Sequence, residues 1–275
     1  MAATDTTAKP RSSKRQRARV VRGAQYAVLA VAIVLIALLA DWGKIADAFF
    51  NVDVAVAQFP GIITTALVNT IVYTALGFAF GLALGVVLAL MRLSSVAPYR
   101  WIATAYVEFF RGVPALLVFI ALGYGVPIAF QLVFDIYSTV MLSLGLVGAA
   151  YMAETIRAGV QAVPKGQVEA ARSLGMSPAR TMVTVVMPQA FRIILPPLTN
   201  ELILLTKDSS LIYLLGLSAD QYELSKFGRG ALTQYQSLTP ILLAGLCYLI
   251  ITIPLSRLSN RLERRYGGGR TARGK

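Results

Sequence analysis

Gln167-Val-Glu-Ala-Ala-Arg-Ser-Leu-Gly175-Met-Ser-Pro178 is a polar, helix-forming stretch set between two very apolar segments, and it leads into Met187-Pro188-Gln-Ala-Phe-Arg-Ile-Ile-Leu-Pro196. Gly166 to Leu174 holds good helix formers, with Glu169 near the start, where a carboxylate favours the helix dipole. Gly175 suits the left-handed conformation that closes such a helix. Ser177 fits an N-cap, and Pro178 fits the first turn of a second short helix. The expected shape is a compact knob of two short helices joined at a glycine. On the cytoplasmic side of a membrane protein, a knob of this kind is a surface offered to a soluble partner. Arg172 and Arg180 suit acidic residues at the rim of a receiving groove, although both also serve as plain markers of a cytoplasmic loop.

Composition sets the class around this stretch. The chain has 275 residues, 56% of them hydrophobic, and a mean hydropathy of +0.65, well above that of a soluble domain. Its net charge of +13 is concentrated at the ends. Lys9, Arg11, Lys14, Arg15, Arg17, Arg19 and Arg22 precede the first apolar run, and Arg257, Arg261, Arg264, Arg265, Arg270, Arg273 and Lys275 follow the last. Against Asp5 and Glu263, these leave the middle nearly neutral. Basic ends flanking apolar spans are the positive-inside pattern, so anionic lipid, not nucleic acid, is the expected partner of the charge. Both termini are then cytoplasmic and the number of crossings is even. One cysteine, Cys247, and no histidine exclude intramolecular disulfides and His-based metal, haem or proton-relay sites. Val28 to Leu39 resembles a signal-peptide core, but it leads directly into Asp41-Trp42-Gly43-Lys44 without an Ala-x-Ala pattern at that junction, and more spans follow, so a retained helix is expected.

A crossing needs about 20 largely apolar helical residues. Six are expected: about 24–42, 62–91, 113–130, 137–158, 189–205 (reaching toward Leu215) and 239–255. The second carries Gly77, Gly81 and Gly85, four apart and therefore on one face, where another helix can approach closely. Pro98 to Phe110 is less apolar, and Gly112 and Pro114 break or bend the chain after it. Ser218 to Gln236 reads as an outer segment with a short helix. The corresponding division is a basic cytoplasmic tail at 1–22, an added N-terminal span at 23–43, a core at 61–257 with its cytoplasmic loop at about 159–187, and a second basic tail at 258–275.

Several polar residues fall inside the apolar runs. Asn200 and Glu201 lie about midway along the fifth span, where an ionisable group costs about 2–3 kcal/mol or more unless it is paired or faces water. Glu201 is either neutralised internally by Arg111, Arg157 or Lys207, or lines a polar path beside Asn200. Arg111 either binds a ligand carboxylate or pairs with Glu108 or Glu154; Glu108 lies three residues away and can share its helix face. Lys207, Asp208 and Ser209 either touch a ligand or end a helix.

The pattern Glu169-Ala170-Ala171, Gly175, Val185, Met187-Pro188 resembles the docking loop of ABC importer permeases. Glu108-Phe-Phe-Arg111-Gly112-Val-Pro114 is similar to the Arg-Gly-Thr-Pro element of their polar amino-acid branch, with Val113 in place of the usual threonine. Glu154-Thr-Ile-Arg157-Ala-Gly159, Pro164-Lys165-Gly166, and Leu195-Pro196-Pro197-Leu-Thr-Asn200-Glu201 leading to Lys207-Asp208-Ser209-Ser210 extend the likeness over roughly Gly61 to Arg257. The resemblance implies an all-α, polytopic, type I importer transmembrane domain in a bacterial cytoplasmic membrane. It further implies a second permease subunit, identical or related, two ATPase subunits docked at Glu169, Ala170, Ala171, Arg172 and Gly175, and an extracytoplasmic binding protein. The substrate is expected to be a polar amino acid, with an opine, osmolyte or sulfur compound as the alternative, and Asn200 and Glu201 are its expected contacts. The chain has no Gly-x-x-x-x-Gly-Lys-Ser/Thr, so it is expected to bind no cofactor itself, ATP and Mg belonging to the partner ATPase. An intramembrane lipid enzyme would need clustered catalytic groups, whereas the acids here are scattered singly.

Overall fold

The computed structural model describes residues 14–266, in two compact units divided after Phe50. Of the basic tails, Lys9, Arg11, Arg270, Arg273 and Lys275 lie outside the described residues. In the first unit, α1 (Lys14–Leu39) includes an apolar run, Arg17–Leu39, long enough to cross a membrane. It is followed by α2 (Trp42–Phe49), whose N-cap Asp41 accepts from the Lys44 backbone N–H and pairs with the Lys44 ammonium at 3.0 Å. The Trp42 indole N–H donates to the Ala37 carbonyl at 2.8 Å.

The second unit begins with a short helix, α3 (Val52–Ala57), capped by Asn51. The spanning helices follow: α4 (Ile62–Leu93), α5 (Ala97–Gly112), α6 (Ala115–Phe130) and α7 (Ile136–Gln161). Then come α8 (Lys165–Ser173), α9 (Pro178–Leu214), α10 (Leu224–Tyr235) and α11 (Thr239–Tyr266). Helices α1, α4, α7, α9 and α11 each have the length and apolarity to cross a membrane, and the α5–α6 pair makes a sixth if taken as one span. That pair bends by 102°, at the break expected around Gly112 and Pro114. Pro114 has no N–H to continue the α5 ladder, and its ring excludes the helical approach of the preceding residues.

The core forms where α4 meets α7. Gly77, Gly81 and Gly85 are buried on one face of α4. A Cβ on Gly81 would stand 3.1 Å from the Gly145 carbonyl oxygen and 3.4 Å from the Ala149 nitrogen, so the two backbones are in direct contact. A Cβ on Gly77 would stand 2.5 Å from the Leu144 Cβ. The close approach seats Ala149, Ala150 and Ala153 against Leu88 and Ala89, with Ala103 and Val107 of α5 completing the cluster. A second cluster of Tyr73, Phe119, Leu144, Met152, Leu205 and Ile212 joins α4, α6, α7 and α9.

One element departs from the sequence expectation. The second helix of the polar knob is not a separate short piece. Its first turn at Pro178 runs through one wide turn at Met182–Val186 into α9, which continues unbroken to Leu214. Pro196 and Pro197 lie inside it, with Ser259 of α11 donating to the Pro196 carbonyl at 3.3 Å. The groups that their missing N–H leaves without the usual helical donor are the Arg192 and Ile193 carbonyls, so the Ser259 bond ties α11 to α9 and does not replace a lost ladder bond.

Candidate functional site

The residues singled out from sequence fall in two regions: the knob at Lys165–Pro178 and a cavity among the spanning helices. At the knob, α8 ends with Gly175 at φ +82°. Its N–H donates to the Arg172 carbonyl at 3.0 Å, and the Met176 N–H donates to the Ala171 carbonyl at 3.2 Å. These paired bonds form the helix terminus in which glycine is favoured at the left-handed position. Ser177 then caps the next helix, its hydroxyl accepting from the Arg180 N–H at 3.3 Å. Glu169, Ala170, Arg172, Ser173 and Leu174 are exposed, Leu174 at 85%. Ala171 faces inward at 6%, and Val168 packs with Val160, Val163, Val186 and Ala190. Ala171 therefore anchors the knob and does not form part of its outer face. The Arg172 guanidinium donates to the Met176 carbonyl, so it braces its own turn.

The cavity, about 390 Å³, lies where the α5–α6 elbow meets α7 and α9. Arg111, at the end of α5, lines it with Tyr151 of α7 and with Glu201 and Asp208 of α9. The remaining wall is apolar, with Val147, Gly148, Leu204 and Leu205. An adjoining recess of about 500 Å³ shares Arg111, Tyr151 and Glu201 and reaches Glu154, Gly159 and Pro197. The Arg111 guanidinium carbon sits 5.7 Å from the Tyr151 ring centroid, within cation–π range. Arg111 lies within electrostatic reach of Glu154 and Glu201. However, the ion partners of Glu154 are Arg92 of α4 and Arg157 of α7, and Arg157 also donates to Gln161 at 2.6 Å. Neither Arg111 nor Glu201 makes an ion pair among the described residues.

The residues singled out from sequence thus separate. Arg111, Glu201 and Asp208 are brought together on one cavity. Asn200 and Lys207 are exposed and line neither recess. Ser209 is fully buried, and its hydroxyl donates to the Thr206 carbonyl at 2.7 Å, a contact within α9 where its last turns tighten. Tyr151 is a cavity residue that sequence reasoning misses. Its signal is its place three residues before Glu154 on α7, one helix face carrying an aromatic and a carboxylate toward Arg111.

The chain matches the family model described as "Binding-protein-dependent transport system inner membrane component" over residues 81–268. It is 36% identical to the arginine transport system permease protein ArtQ of Bacillus subtilis (strain 168), over 76% of this chain and 94% of that protein. It is 37% identical to the glutamate/aspartate import permease protein GltK of Escherichia coli O157:H7, over 72% and 91%. Among solved structures, a chain of an amino acid ABC transporter crystallised with histidines superposes with a TM-score of 0.70 at 34% identity, covering 76% of this chain and 96% of that one. With bent and unbroken apolar helices surrounding a polar cavity, and with a match over most of its length, the chain belongs to the inner-membrane permease components of binding-protein-dependent transport systems.

Proposed function

We propose that this chain is the permease subunit of an ABC importer for a polar amino acid, working with a second permease subunit, two ATPase subunits that bind ATP and Mg, and an extracytoplasmic binding protein. The observation that carries the reading is the cavity holding Arg111, Glu201 and Asp208 between otherwise apolar helices. A zwitterion needs a cation for its carboxylate and a carboxylate for its ammonium, and both charges are here without a partner of their own in an ion pair. The similarity to amino-acid permeases supports the same substrate class.

Coupling follows from α9. The knob formed by Glu169 to Gly175, with Ala171 holding it against the bundle, faces the cytoplasm and receives the ATPase. Pro178, directly after it, is the first residue of the helix that carries Glu201, roughly 35 Å away at 1.5 Å per residue. A push at the knob reaches the cavity wall through one continuous helix, and the α5–α6 elbow at Arg111 lies opposite. In this orientation both basic termini are cytoplasmic and α10 is outside.

The test is uptake of labelled amino acids by proteoliposomes containing the whole complex and its binding protein. Glu201→Ala is expected to abolish or redirect uptake while the complex stays assembled. Unchanged transport kinetics would remove Glu201 from the substrate path.

A further inference from the structure

A second polar recess lies on α10, away from the cavity among the spans. Its geometry starts at Glu223, which is fully buried. The Glu223 carboxylate accepts from the Ser225 and Lys226 backbone N–H groups, both at 2.6 Å, and from the Tyr248 hydroxyl of α11 at 3.0 Å. The carboxyl is therefore directed inward at the start of α10, and it fixes that helix against α11. Lys226 and Arg229, three residues apart, then project on one side. The Lys226 ammonium donates to the Tyr213 carbonyl at 3.3 Å and stands 5.9 Å from the Tyr222 ring centroid. The Arg229 guanidinium lies 4.3 Å over the Tyr213 ring. Together these side chains and Thr233 enclose a recess of about 480 Å³. Neither cation makes an ion pair among the described residues.

We propose that this recess is the docking contact for an acidic patch on the extracytoplasmic binding protein. The proposal rests on the importer reading and orientation given above. Under that orientation, cations outside the membrane run against the positive-inside preference, so two held in fixed places call for a partner. A guanidinium stacked on a ring keeps its N–H edge free for two parallel bonds to a carboxylate, and the stack has already restricted its rotamers. Of the exposed residues that follow, Gly230, Thr233, Gln234 and Gln236 are polar or small, and the one large side chain, Tyr235 at 38%, carries a hydroxyl, so this face suits water and a protein surface. A pair of carboxylates on a soluble subunit is the chemistry that fits.

The test uses the whole complex with its ATPase subunits in nanodiscs of zwitterionic lipid. It is titrated with the binding protein whose addition stimulates ATP hydrolysis by the unaltered complex. The double substitution Lys226→Glu, Arg229→Glu is expected to leave basal ATP hydrolysis unchanged, which also reports correct folding. The binding-protein concentration for half-stimulation is expected to rise about tenfold, with the difference shrinking as salt increases. Restoration by a carboxylate-to-lysine change on the binding protein would fix the pairing. An unchanged half-stimulating concentration overturns the proposal. So does an effect that appears only when the nanodisc contains phosphatidylglycerol, which would assign the recess to a lipid headgroup. If no binding protein stimulates even the unaltered complex, the importer reading itself fails and the docking proposal falls with it.

Discussion

Gly175 allows backbone shape and partner sterics to be separated at the knob. The residue has φ +82°, and no atom beyond its immediate neighbours lies within 4 Å of where a Cβ would stand. A side chain here meets no part of its own chain, so the cost of replacement is conformational alone. For an ordinary L residue that cost is roughly 1–2 kcal/mol, and asparagine adopts the same conformation far more readily. Gly175→Ala is therefore expected to disfavour the Schellman turn and loosen the link between α8 and α9. If the ATPase binds only the ordered knob, its apparent affinity should fall by up to about 5- to 30-fold, the full factor applying where the ordered knob is the minor state, since 1.4 kcal/mol corresponds to a factor of ten. Gly175→Asn should stay within about threefold of the original, because it keeps the left-handed turn. The assay is titration of purified ATPase subunit onto permease in nanodiscs, read by ATP hydrolysis coupled to uptake. The ordering glycine, then asparagine, then alanine supports the backbone account. If asparagine fails as badly as alanine, the reasoning is refuted, because any side chain is then excluded by the partner and not by φ.

Two further outcomes follow from the packing. Gly77→Ala places a Cβ 2.5 Å from the Leu144 Cβ, whereas Gly245→Ala meets nothing within 4 Å. Overpacking of the first site should lower stability by about 1–3 kcal/mol, while the second should be neutral or slightly stabilising. Equal thermal midpoints in detergent would mean that α4 and α7 are not in tight contact. At Glu223, burial outweighs the bonds from Ser225, Lys226 and Tyr248 and raises the carboxyl from 4.5 to about 7. An acid with a raised folded value stabilises the fold most when protonated. Stability should thus be highest near pH 4.5, fall on the order of 2–3 kcal/mol as pH rises toward 7, and level off above it. Glu223→Gln should flatten that slope in thermal unfolding measured from pH 5 to pH 8, and an unaltered slope would contradict the assignment.

Features set by neighbouring residues are legible in the sequence. The knob is one, because its caps at Gly175 and Ser177 are written within a few positions of the bonds they make. So is the elbow at Gly112 and Pro114, since proline blocks helix continuation wherever it falls. The continuity of α9 is not legible. Arg180, Thr181 and Thr184 look like loop composition, and the wide turn at Met182–Val186 has no sequence signature. The ion partners of Glu154 are equally hidden, because Arg92 lies 62 positions away on another helix.

The cavity shows a different failure, one of period. Asn200 and Glu201 read as a pair because they are adjacent, yet neighbours on a helix point about 100° apart and cannot share a face. Residues seven apart nearly do. Glu201 and Asp208 are seven apart and both line the cavity, while Asn200 and Lys207 are also seven apart and both lie on exposed surface. Helical periodicity alone thus sorts the four residues into two faces. The second face has a consequence for assembly. A charged group set in hydrocarbon costs about 2–3 kcal/mol or more, so a side of α9 that presents Asn200 and Lys207 is a poor surface for lipid. It suits the polar interior between two permease subunits, which favours the proposed pairing of this chain with a second copy or a relative.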